Sequence, residues 1–360
     1  YNILMKIDYT PQLDFNSVLI RPKRTTISSR SQVNLERTFT FPNTKTTWTG
    51  VPVISANMDT TGTFEVYDVL SKFKMITCFN KFYNLKDFEE RMETNPLNPE
   101  YFMISTGISD ENFSNLHDIV RATNAKWICV DVANGYMRDV VTFCSKVRSA
   151  FPDRIIVAGN VATREMVEEL ILNGKVDVVK CGIGPGSACL TRRKTGVGVP
   201  QLSTIIECAD GAHGCGGMII GDGGITCPGD IAKAFGGGAD FVMIGGQFAG
   251  HDENPGEIQE IDGKKFKLFY GMSSEHAMKK HYGKMDKYRS SEGRTIKVKY
   301  RGKLEETVLN YLGGLRSTCT YINALNIKNI SKFKSIDISD ECSSSLMASN
   351  TSSCTSSGRS

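Results

Sequence analysis

The stretch VDVVKCGIGPGSACLTRRKTGVG, residues 176–198, joins an apolar run to a glycine-rich turn. The run has the composition of a buried strand, because β-branched residues are favoured in strands. The glycines of the turn leave backbone N–H groups free to bind an anion such as phosphate. The turn then presents the thiol of Cys189 two residues before the hydroxyl of Thr191. Taken alone, the stretch is equally consistent with a phosphate-binding loop that carries a nucleophile and with a tight turn that contains an ordinary buried cysteine.

Eight short apolar runs rich in strand-forming residues recur along the chain, and the run above is the sixth of them. They are Val51–Ser55, Met75–Cys78, Phe102–Ser105, Trp127–Val132, Ile155–Ala158, Val176–Lys180, Met218–Ile220 and Phe241–Ile244. Helix-patterned stretches lie between them, among them Phe64–Phe73, Leu85–Met92, Met137–Ala150, Glu165–Leu172, Pro200–Ala209 and Pro228–Phe235. Alternating strands and helices predict parallel strands with right-handed crossovers, and eight such units predict a closed α/β barrel, the (β/α)8 or TIM barrel.

Polar residues follow several of the runs, as in SANMD (55–59), DVANGY (131–136) and GDGG (221–224). In a (β/α)8 barrel the C-terminal ends of the strands meet at one face, and phosphate is commonly bound by the last loops. Turn formation explains the glycines of these segments, but it does not explain their aspartates or the thiol of the sixth segment. We therefore expect a polar ligand site at this face of the barrel.

The repeat ends after the eighth run, and residues 251–300 form an insertion. Its first part, EIDGKKFKLFYG (260–271), predicts a β-hairpin with its turn at Asp262–Gly263. The charged segment that follows, about residues 270–303, is typical of a lid over an active site.

A last helix is predicted at Leu304–Leu315, and a Ser-rich segment ends the chain. We expect residues 1–334 to form one catalytic barrel domain that includes the lid. The tail at 335–360 is predicted to be disordered, because it has few apolar residues to bury.

The composition excludes several classes of protein. The 360-residue chain has a formal net charge of only +4, and its basic residues are scattered, so we expect no nucleic-acid partner. We find neither a signal-peptide pattern nor an apolar run long enough for a membrane span. The eleven cysteines show no C-x-x-C pair and no Cys/His ligand spacing, which argues against disulfides and structural zinc. A reducing, cytoplasmic location is expected.

Seven motifs occur together in this chain. They are LIRPKR (19–24), SANMDT (55–60), DVANGY (131–136), GIGPGS (182–187), DGG (222–224), KAFGGGADFVM (233–243) and FYGMSSE (269–275). On these motifs, over roughly residues 14–334, the chain resembles the IMP dehydrogenase/GMP reductase family, and in particular its reductase branch. The resemblance implies a barrel enzyme of purine nucleotide salvage that converts GMP, with NADPH, to IMP, NADP⁺ and ammonia. It also implies a homotetramer.

The chemistry of such a reaction needs a nucleophile and an acid/base group. Replacing the amino group on purine carbon 2 with hydride requires a covalent bond at that carbon, which a thiolate can form. Cys189 is the candidate, and the resemblance implies that it forms a thioimidate. Ammonia leaves only after protonation, and the resemblance assigns this task to Thr191 and Glu292. Without the resemblance, Glu292 is more typical of a solvated lid charge and Thr191 of a helix cap.

The resemblance also implies three sets of ligand-binding residues. The predicted GMP contacts are Ser187, Asp222, Gly223, Gly224, Gly245, Gly246, Gly271, Met272, Ser273, Arg289, Ser290, Ser291 and Gly293. The predicted NADPH contacts are Ser29, Arg30, Lys81, Asp131, Val132, Ala133, Ile183, Gly184, Tyr288, Arg289, Ser317, Thr318, Cys319 and Thr320. The predicted K⁺ site consists of Gly184, Gly186, Cys189 and Arg192, with backbone carbonyls as ligands. Asp222 suits the ribose hydroxyls, and Arg30 suits the 2′-phosphate that distinguishes NADPH from NADH.

Two alternatives remain open at this point. An IMP dehydrogenase would share the barrel, the loop and the thiol, but that enzyme usually carries a regulatory insert. The short link between Lys81 and the run at Phe102 has no room for one. A catalytically silent purine-nucleotide-binding protein would need neither the nucleophile Cys189 nor the pair Thr191 and Glu292.

Overall fold

The structure is a computed structural model that describes residues 9–284, 290–332 and 336–338. The strands in this part of the chain are β1 (Val18–Ile20), β2 (Arg37–Thr40), β3 (Thr47–Gly50), β4 (Val53–Ser55), β5 (Ile76–Phe79), β6 (Phe102–Thr106), β7 (Trp127–Asp131), β8 (Ile155–Val161), β9 (Val178–Cys181), β10 (Met218–Asp222), β11 (Phe241–Ile244), β12 (Gln259–Ile261), β13 (Lys264–Tyr270), β14 (Thr295–Lys299) and β15 (Ile336–Ile338). The α-helices are α1 (Phe64–Leu70), α2 (Leu85–Thr94), α3 (Asp110–Thr123), α4 (Arg138–Ala150), α5 (Arg164–Leu172), α6 (Thr191–Thr195), α7 (Gln201–Gly214), α8 (Pro228–Gly236), α9 (Glu275–Tyr282) and α10 (Leu304–Tyr321).

The strands β4 to β11 form a closed parallel barrel, in which strands consecutive in the chain pair with each other and β11 pairs with β4. Alternate residues of each strand face the interior. On β7, Trp127 and Cys129 pack inside the barrel, while Ile128 and Val130 pack in the layer that contains the helices. Each predicted run corresponds to one barrel strand, so the prediction of a (β/α)8 barrel is confirmed.

The antiparallel hairpin β2–β3 closes the N-terminal end of the barrel. The ring of Phe39 stacks on Phe241 with centroids 4.4 Å apart, and Trp48 meets Trp127 edge to face at 5.8 Å. Trp127 and Phe241 are the first residues of their strands. Because this end is filled by aromatic side chains, the opposite, C-terminal end is the one left for a ligand.

The insertion after β11 forms a three-stranded antiparallel sheet, β12–β13–β14. The predicted hairpin is confirmed, and its turn residues Asp262 and Gly263 have φ values of 49° and 69°, as a two-residue hairpin turn requires. The third strand, β14, was not predicted, although Ile296 and Val298 alternate with polar residues and pack as a period-two pattern would indicate. Residues 285–289 of the predicted lid lie outside the described residues.

The last helix is longer than predicted: it continues past Leu315, the predicted end, to Tyr321. Gly314 lies where α10 approaches α8 closely, since a Cβ there would come within 2.5 Å of Pro228. Among the described helices, none combines the length and the apolar character that crossing a bilayer requires. The predicted tail lies outside the described residues except for β15, which pairs antiparallel with β1.

A buried histidine joins the inserted sheet to the barrel. His251 is fully buried; its Nε2 lies 2.7 Å from the Thr307 hydroxyl on α10, and its carbonyl accepts from Lys267 on β13. Burial lowers the pKa of His251 to about 4. The folded state therefore favours the neutral imidazole.

We expect this histidine to make the protein less stable in mild acid. As the pH falls below about 6.5, the unfolded chain binds a proton that the folded chain does not bind, so the free energy of unfolding falls until about pH 4. At pH 5 the loss from His251 should be roughly 1–2 kcal/mol. Urea denaturation at pH 7 and at pH 5 measures this loss. In His251→Gln, the difference in the free energy of unfolding between the two pH values should be smaller. An equal difference in the variant would contradict the assignment.

Candidate active site

The glycine-rich turn leaves β9 at the C-terminal end of the barrel in a conformation that needs glycine. Gly182 and Gly184 have φ values of 146° and 79°, in the region that L side chains rarely adopt. A Cβ on Gly182 would lie 2.4 Å from the carbonyl oxygen of Asp222, and one on Gly184 would lie 2.5 Å from the side chain of Arg192. The turn therefore lies directly against β10 and against the start of α6.

The three predicted catalytic side chains meet at this turn. The Cys189 sulfur lies 3.2 Å from the Thr191 hydroxyl, which in turn donates to the Glu292 carboxylate at 2.8 Å. Backbone bonds hold the two segments together: Leu190 N–H donates to the Glu292 carbonyl at 2.6 Å, and Arg294 N–H donates to the Ala188 carbonyl at 2.9 Å. The thiol, the hydroxyl and the carboxylate thus form a continuous chain, although Glu292 is 101 positions from Thr191 in the sequence.

The chain of groups opens into a cavity of about 530 Å³ at the C-terminal end of the barrel. Of the predicted GMP set, the residues that line it are Ser187, Asp222, Gly223, Gly224, Gly245, Gly246, Gly271, Met272, Ser273 and Gly293. Of the predicted NADPH set, the lining residues are Lys81, Asp131, Val132, Ala133, Ile183 and Gly184. One cavity therefore brings together all three catalytic candidates, ten of the thirteen predicted GMP contacts and six of the fourteen predicted NADPH contacts.

A buried lysine that sequence analysis did not assign to the site lies at the bottom of this cavity. Lys180 is 3% exposed, and its ammonium contacts Asp131 at 2.8 Å, Asp222 at 3.1 Å and the Asn160 amide oxygen. Burial alone would lower the pKa of Lys180, but the two carboxylates raise it well above its ordinary value. The lysine therefore stays charged, and a lysine at the end of an apolar strand is the signal that could have identified it.

The same network holds the carboxylates of Asp131 and Asp222 in place. Burial opposes ionisation of Asp131, but the charge of Lys180 outweighs it and lowers the pKa of Asp131. Asp222 accepts both Lys180 and the Asn160 amide, at 2.8 Å, on the same oxygen, Oδ2. The other oxygen of Asp222, Oδ1, takes neither of these bonds. A carboxylate oriented in this way can accept hydrogen bonds from a ligand's hydroxyl groups.

Some predicted NADPH contacts lie elsewhere. Arg30 and Thr320 line a second cavity of about 270 Å³, which they share with Pro22, Lys23, Thr25, Ile27, Ser28 and Tyr321. This cavity is at the C-terminal end of α10, which follows the inserted sheet and contains 18 residues. Ser317, Thr318 and Cys319 lie on the same helix, and Cys319 is fully buried. Ser29 caps the short 3₁₀ turn that contains Arg30.

Four predicted contacts in the lid, Tyr288 to Ser291, are not among the described residues that line the cavity. Tyr288 and Arg289 lie outside the described residues. Ser290 and Ser291 are described, and the Ser291 hydroxyl donates to the Gly293 carbonyl at 2.7 Å. This hydrogen bond links the two residues on either side of Glu292.

The predicted potassium ligands surround the base of the turn. The Gly186 carbonyl accepts from Cys189 N–H at 3.0 Å, while the guanidinium of Arg192 donates to the carbonyls of Ile183 and Val199. Asp14 lies 3.6 Å from the same guanidinium. The carbonyl oxygens of the turn are the kind of ligand that a hard cation takes, and the positive charge of Arg192 lies among them.

Comparison with known proteins identifies the family. The family model described as IMP dehydrogenase/GMP reductase domain matches residues 12–350. The chain belongs to the IMP dehydrogenase/GMP reductase family. It is 56% identical over 328 residues to GMP reductase 1 of Mus musculus, covering 91% of this chain and 95% of the relative. It is 56% identical over 330 residues to GMP reductase of Aeromonas hydrophila, with coverages of 91% and 95%, and 55% identical over 327 residues to GMP reductase 2 of Homo sapiens, with coverages of 91% and 94%.

Membership in the IMP dehydrogenase/GMP reductase family confirms the resemblance inferred from the seven motifs, and with it the prediction that the chain is an enzyme of this family. The motifs GIGPGS and DGG of the family resemblance lie on neighbouring loops, after the paired strands β9 and β10, and both line the cavity. The roles of individual residues remain predictions at this point.

Proposed function

We propose that the protein is a GMP reductase, which converts GMP and NADPH to IMP, NADP⁺ and ammonia in purine nucleotide salvage. The observation that carries the proposal is the chain from Cys189 through Thr191 to Glu292 at the cavity. The relatives named GMP reductase, which match the chain over nine-tenths of its length, support it.

Binding of the nucleotide would use groups at the C-terminal ends of β9, β10 and β11, which line the cavity. The ribose hydroxyls would donate to Oδ1 of Asp222, because its Oδ2 already accepts from Lys180 and Asn160. The phosphate would lie at Gly245 and Gly246, where a Cβ on Gly246 would come within 2.7 Å of the Ser187 hydroxyl. Such a narrow space admits backbone N–H groups and excludes side chains, as phosphate sites often require.

Cys189 would perform the first covalent step. Its thiolate would attack carbon 2 of the purine, so that a sulfur–carbon bond forms. The bond from carbon 2 to the exocyclic nitrogen would then break, with the nitrogen leaving as ammonia after taking up a proton. The product on the enzyme is a thioimidate on Cys189.

Thr191 and Glu292 would supply and accept the protons of this step. The Thr191 hydroxyl lies between the sulfur and the Glu292 carboxylate, at 3.2 Å and 2.8 Å, so a proton can pass through it in either direction. A hydrolytic enzyme must activate water at this point, whereas here the pair only has to protonate a leaving amine.

The residues present fit a nicotinamide cofactor at the other side of the cavity. Lys81 and Asp131 to Ala133 line that side, and the ionised Asp131 offers a hydrogen-bond acceptor there. The cofactor would supply the hydride for carbon 2, which releases the Cys189 sulfur as thiolate. The assignment to NADPH depends on Arg30, which lies in the second cavity.

Potassium, assembly and location are further parts of the proposal. A potassium ion would bind carbonyls of Gly184, Gly186 and Cys189 beside Arg192. We propose a homotetramer, as the family resemblance implies, and a cytoplasmic location.

A coupled assay tests the function. On addition of GMP, the purified protein should oxidise NADPH, which is measured as the loss of NADPH absorbance. One ammonia and one IMP should form for each NADPH consumed. NADH in place of NADPH tests the cofactor assignment in the same assay.

The same assay separates the alternatives. NADH formation from IMP and NAD⁺, without oxidation of NADPH by GMP, would identify an IMP dehydrogenase. The link between β5 and β6 contains α2 and no inserted domain, which favours the reductase. GMP binding without turnover of either cofactor would identify a silent nucleotide-binding protein and contradict the proposal.

A further inference from the structure

A buried carboxylate outside the catalytic chain gathers three donors from the inserted segment. Asp59 follows β4 and is 5% exposed. Its Oδ2 accepts from the Tyr270 hydroxyl at 2.9 Å, the Lys280 ammonium at 2.9 Å and the His281 Nε2 at 2.6 Å. These four residues are called the Asp59 cluster. The other oxygen, Oδ1, is buried and has no partner among the described residues.

The Asp59 cluster encloses the segment predicted to contact the purine. Tyr270 directly precedes Gly271–Ser273, and Lys280 and His281 follow it on α9. Between them, the Asp59 N–H donates to the Met272 sulfur at 3.4 Å. One residue of the barrel thus contacts the inserted segment before, within and after the predicted substrate contacts.

The charge of Asp59 is suited to this task. Burial opposes its ionisation, but the hydrogen bonds from Lys280, His281 and Tyr270 outweigh burial and lower the pKa of Asp59. An ionised acceptor makes stronger hydrogen bonds than a neutral one. Since Asp59 itself is buried, water competes little for its oxygen.

The cluster also reaches the cofactor side of the cavity. The His281 ring stacks on Phe82, with centroids 3.4 Å apart and planes 5° from parallel. Phe82 follows Lys81, and both line the cavity. The ring stack and the bond to Asp59 together fix α9 relative to two barrel loops.

We propose that Asp59 is a positioning residue for the purine. It does not touch the reacting atoms. By holding Tyr270 and α9 on the barrel, it keeps Gly271–Ser273 in the position that binds GMP over Cys189. This inference rests on the proposed function, because it takes the ligand of the cavity to be GMP.

The test measures GMP binding through protection of Cys189 from alkylation. The probe is iodoacetamide, and the modified Cys189 peptide is quantified by mass spectrometry with increasing GMP. Asp59→Ala should raise the half-protecting GMP concentration about tenfold, as expected for loss of charge-assisted bonds. The alkylation rate without GMP should stay at the wild-type value, because the thiol itself is unaffected. In turnover, KM for GMP should rise more than kcat falls.

Three further variants make the test specific. Asp59→Asn should restore part of the loss, since its amide oxygen can take the place of Oδ2. Lys280→Met removes one donor from a half-exposed position, so it should fold and should raise the half-protecting concentration several-fold. Lys279→Met is the matched control, because Lys279 pairs with the exposed Glu275 and should leave protection unchanged.

The outcomes are distinguishable. Unchanged half-protecting concentrations in both Asp59→Ala and Lys280→Met would overturn the positioning role while leaving the proposed function intact. If Asp59→Ala does not fold, Lys280→Met alone decides. Failure of GMP to protect Cys189 in the wild-type protein would overturn the proposed function and this inference with it. An alkylation rate that changes without GMP would assign Asp59 a general structural role instead.

Discussion

Replacing Cys189 with alanine should abolish turnover while GMP still binds. In the proposed mechanism the sulfur forms the bond to carbon 2, and removal of a nucleophile from a covalent enzyme costs about 10⁴-fold or more in kcat. The groups proposed to bind the nucleotide, above all Asp222 and the glycines proposed to hold the phosphate, should be unaffected by the loss of one sulfur atom. The measurements are kcat from NADPH oxidation and GMP affinity from calorimetry.

A second cysteine provides the control for this prediction. Cys215 is also half-buried, but it follows α7 and lies away from the cavity. Cys215→Ala should keep wild-type turnover. Turnover retained in Cys189→Ala would exclude a covalent mechanism, and loss of GMP affinity in that variant would assign the thiol to binding.

Replacing Glu292 with glutamine should lower kcat by about 10²- to 10⁴-fold, the usual contribution of a general acid/base group. Glutamine keeps the size of the side chain and an oxygen that can accept from Thr191. It cannot, however, take up and return the hydroxyl proton. In single-turnover experiments, ammonia release should slow more than oxidation of NADPH once the thioimidate is present.

Two other variants define the role of Glu292. Thr191→Val removes the hydroxyl and keeps the shape, so its effect should not add to that of Glu292→Gln in the double variant, as for groups that act as a unit. Glu275→Gln is the matched control, because Glu275 is exposed at the start of α9 and pairs only with Lys279 among the described residues. An unchanged rate of ammonia release in Glu292→Gln would identify Glu292 as an ordinary lid charge.

The eight barrel strands could be predicted because their signal is local. A strand buried on both faces needs a largely apolar run, and apolar residues predominate in each of the eight runs. The end of α10 was placed too early, at Leu315, because the polar residues Arg316, Ser317 and Thr318 interrupt the apolar pattern there, although the helix continues to Tyr321. The strand β14 was missed because its alternation is short and lies in a charged segment.

Of the candidate site, too, only the part that depends on local sequence could be predicted. Cys189 and Thr191 lie close together because they are only two positions apart in the chain. Glycine occurs at positions 182 and 184 because other residues rarely adopt the backbone conformations found there. The approach of Glu292, in contrast, could be assigned only through the resemblance to a family. Nothing local in a charged lid segment indicates which carboxylate reaches the turn.

The sequence by itself therefore determined the barrel, the catalytic turn and the family, since strand propensity, glycine conformation and motif spacing are properties of short segments. Tertiary structure alone decided which groups, distant in the sequence, form hydrogen bonds and ion pairs with one another. Lys180 lies between Asp131 and Asp222 because β7, β9 and β10 end at one face of a closed barrel. Asp59 meets Lys280 and His281, more than 200 positions away, because the inserted segment folds back over that face.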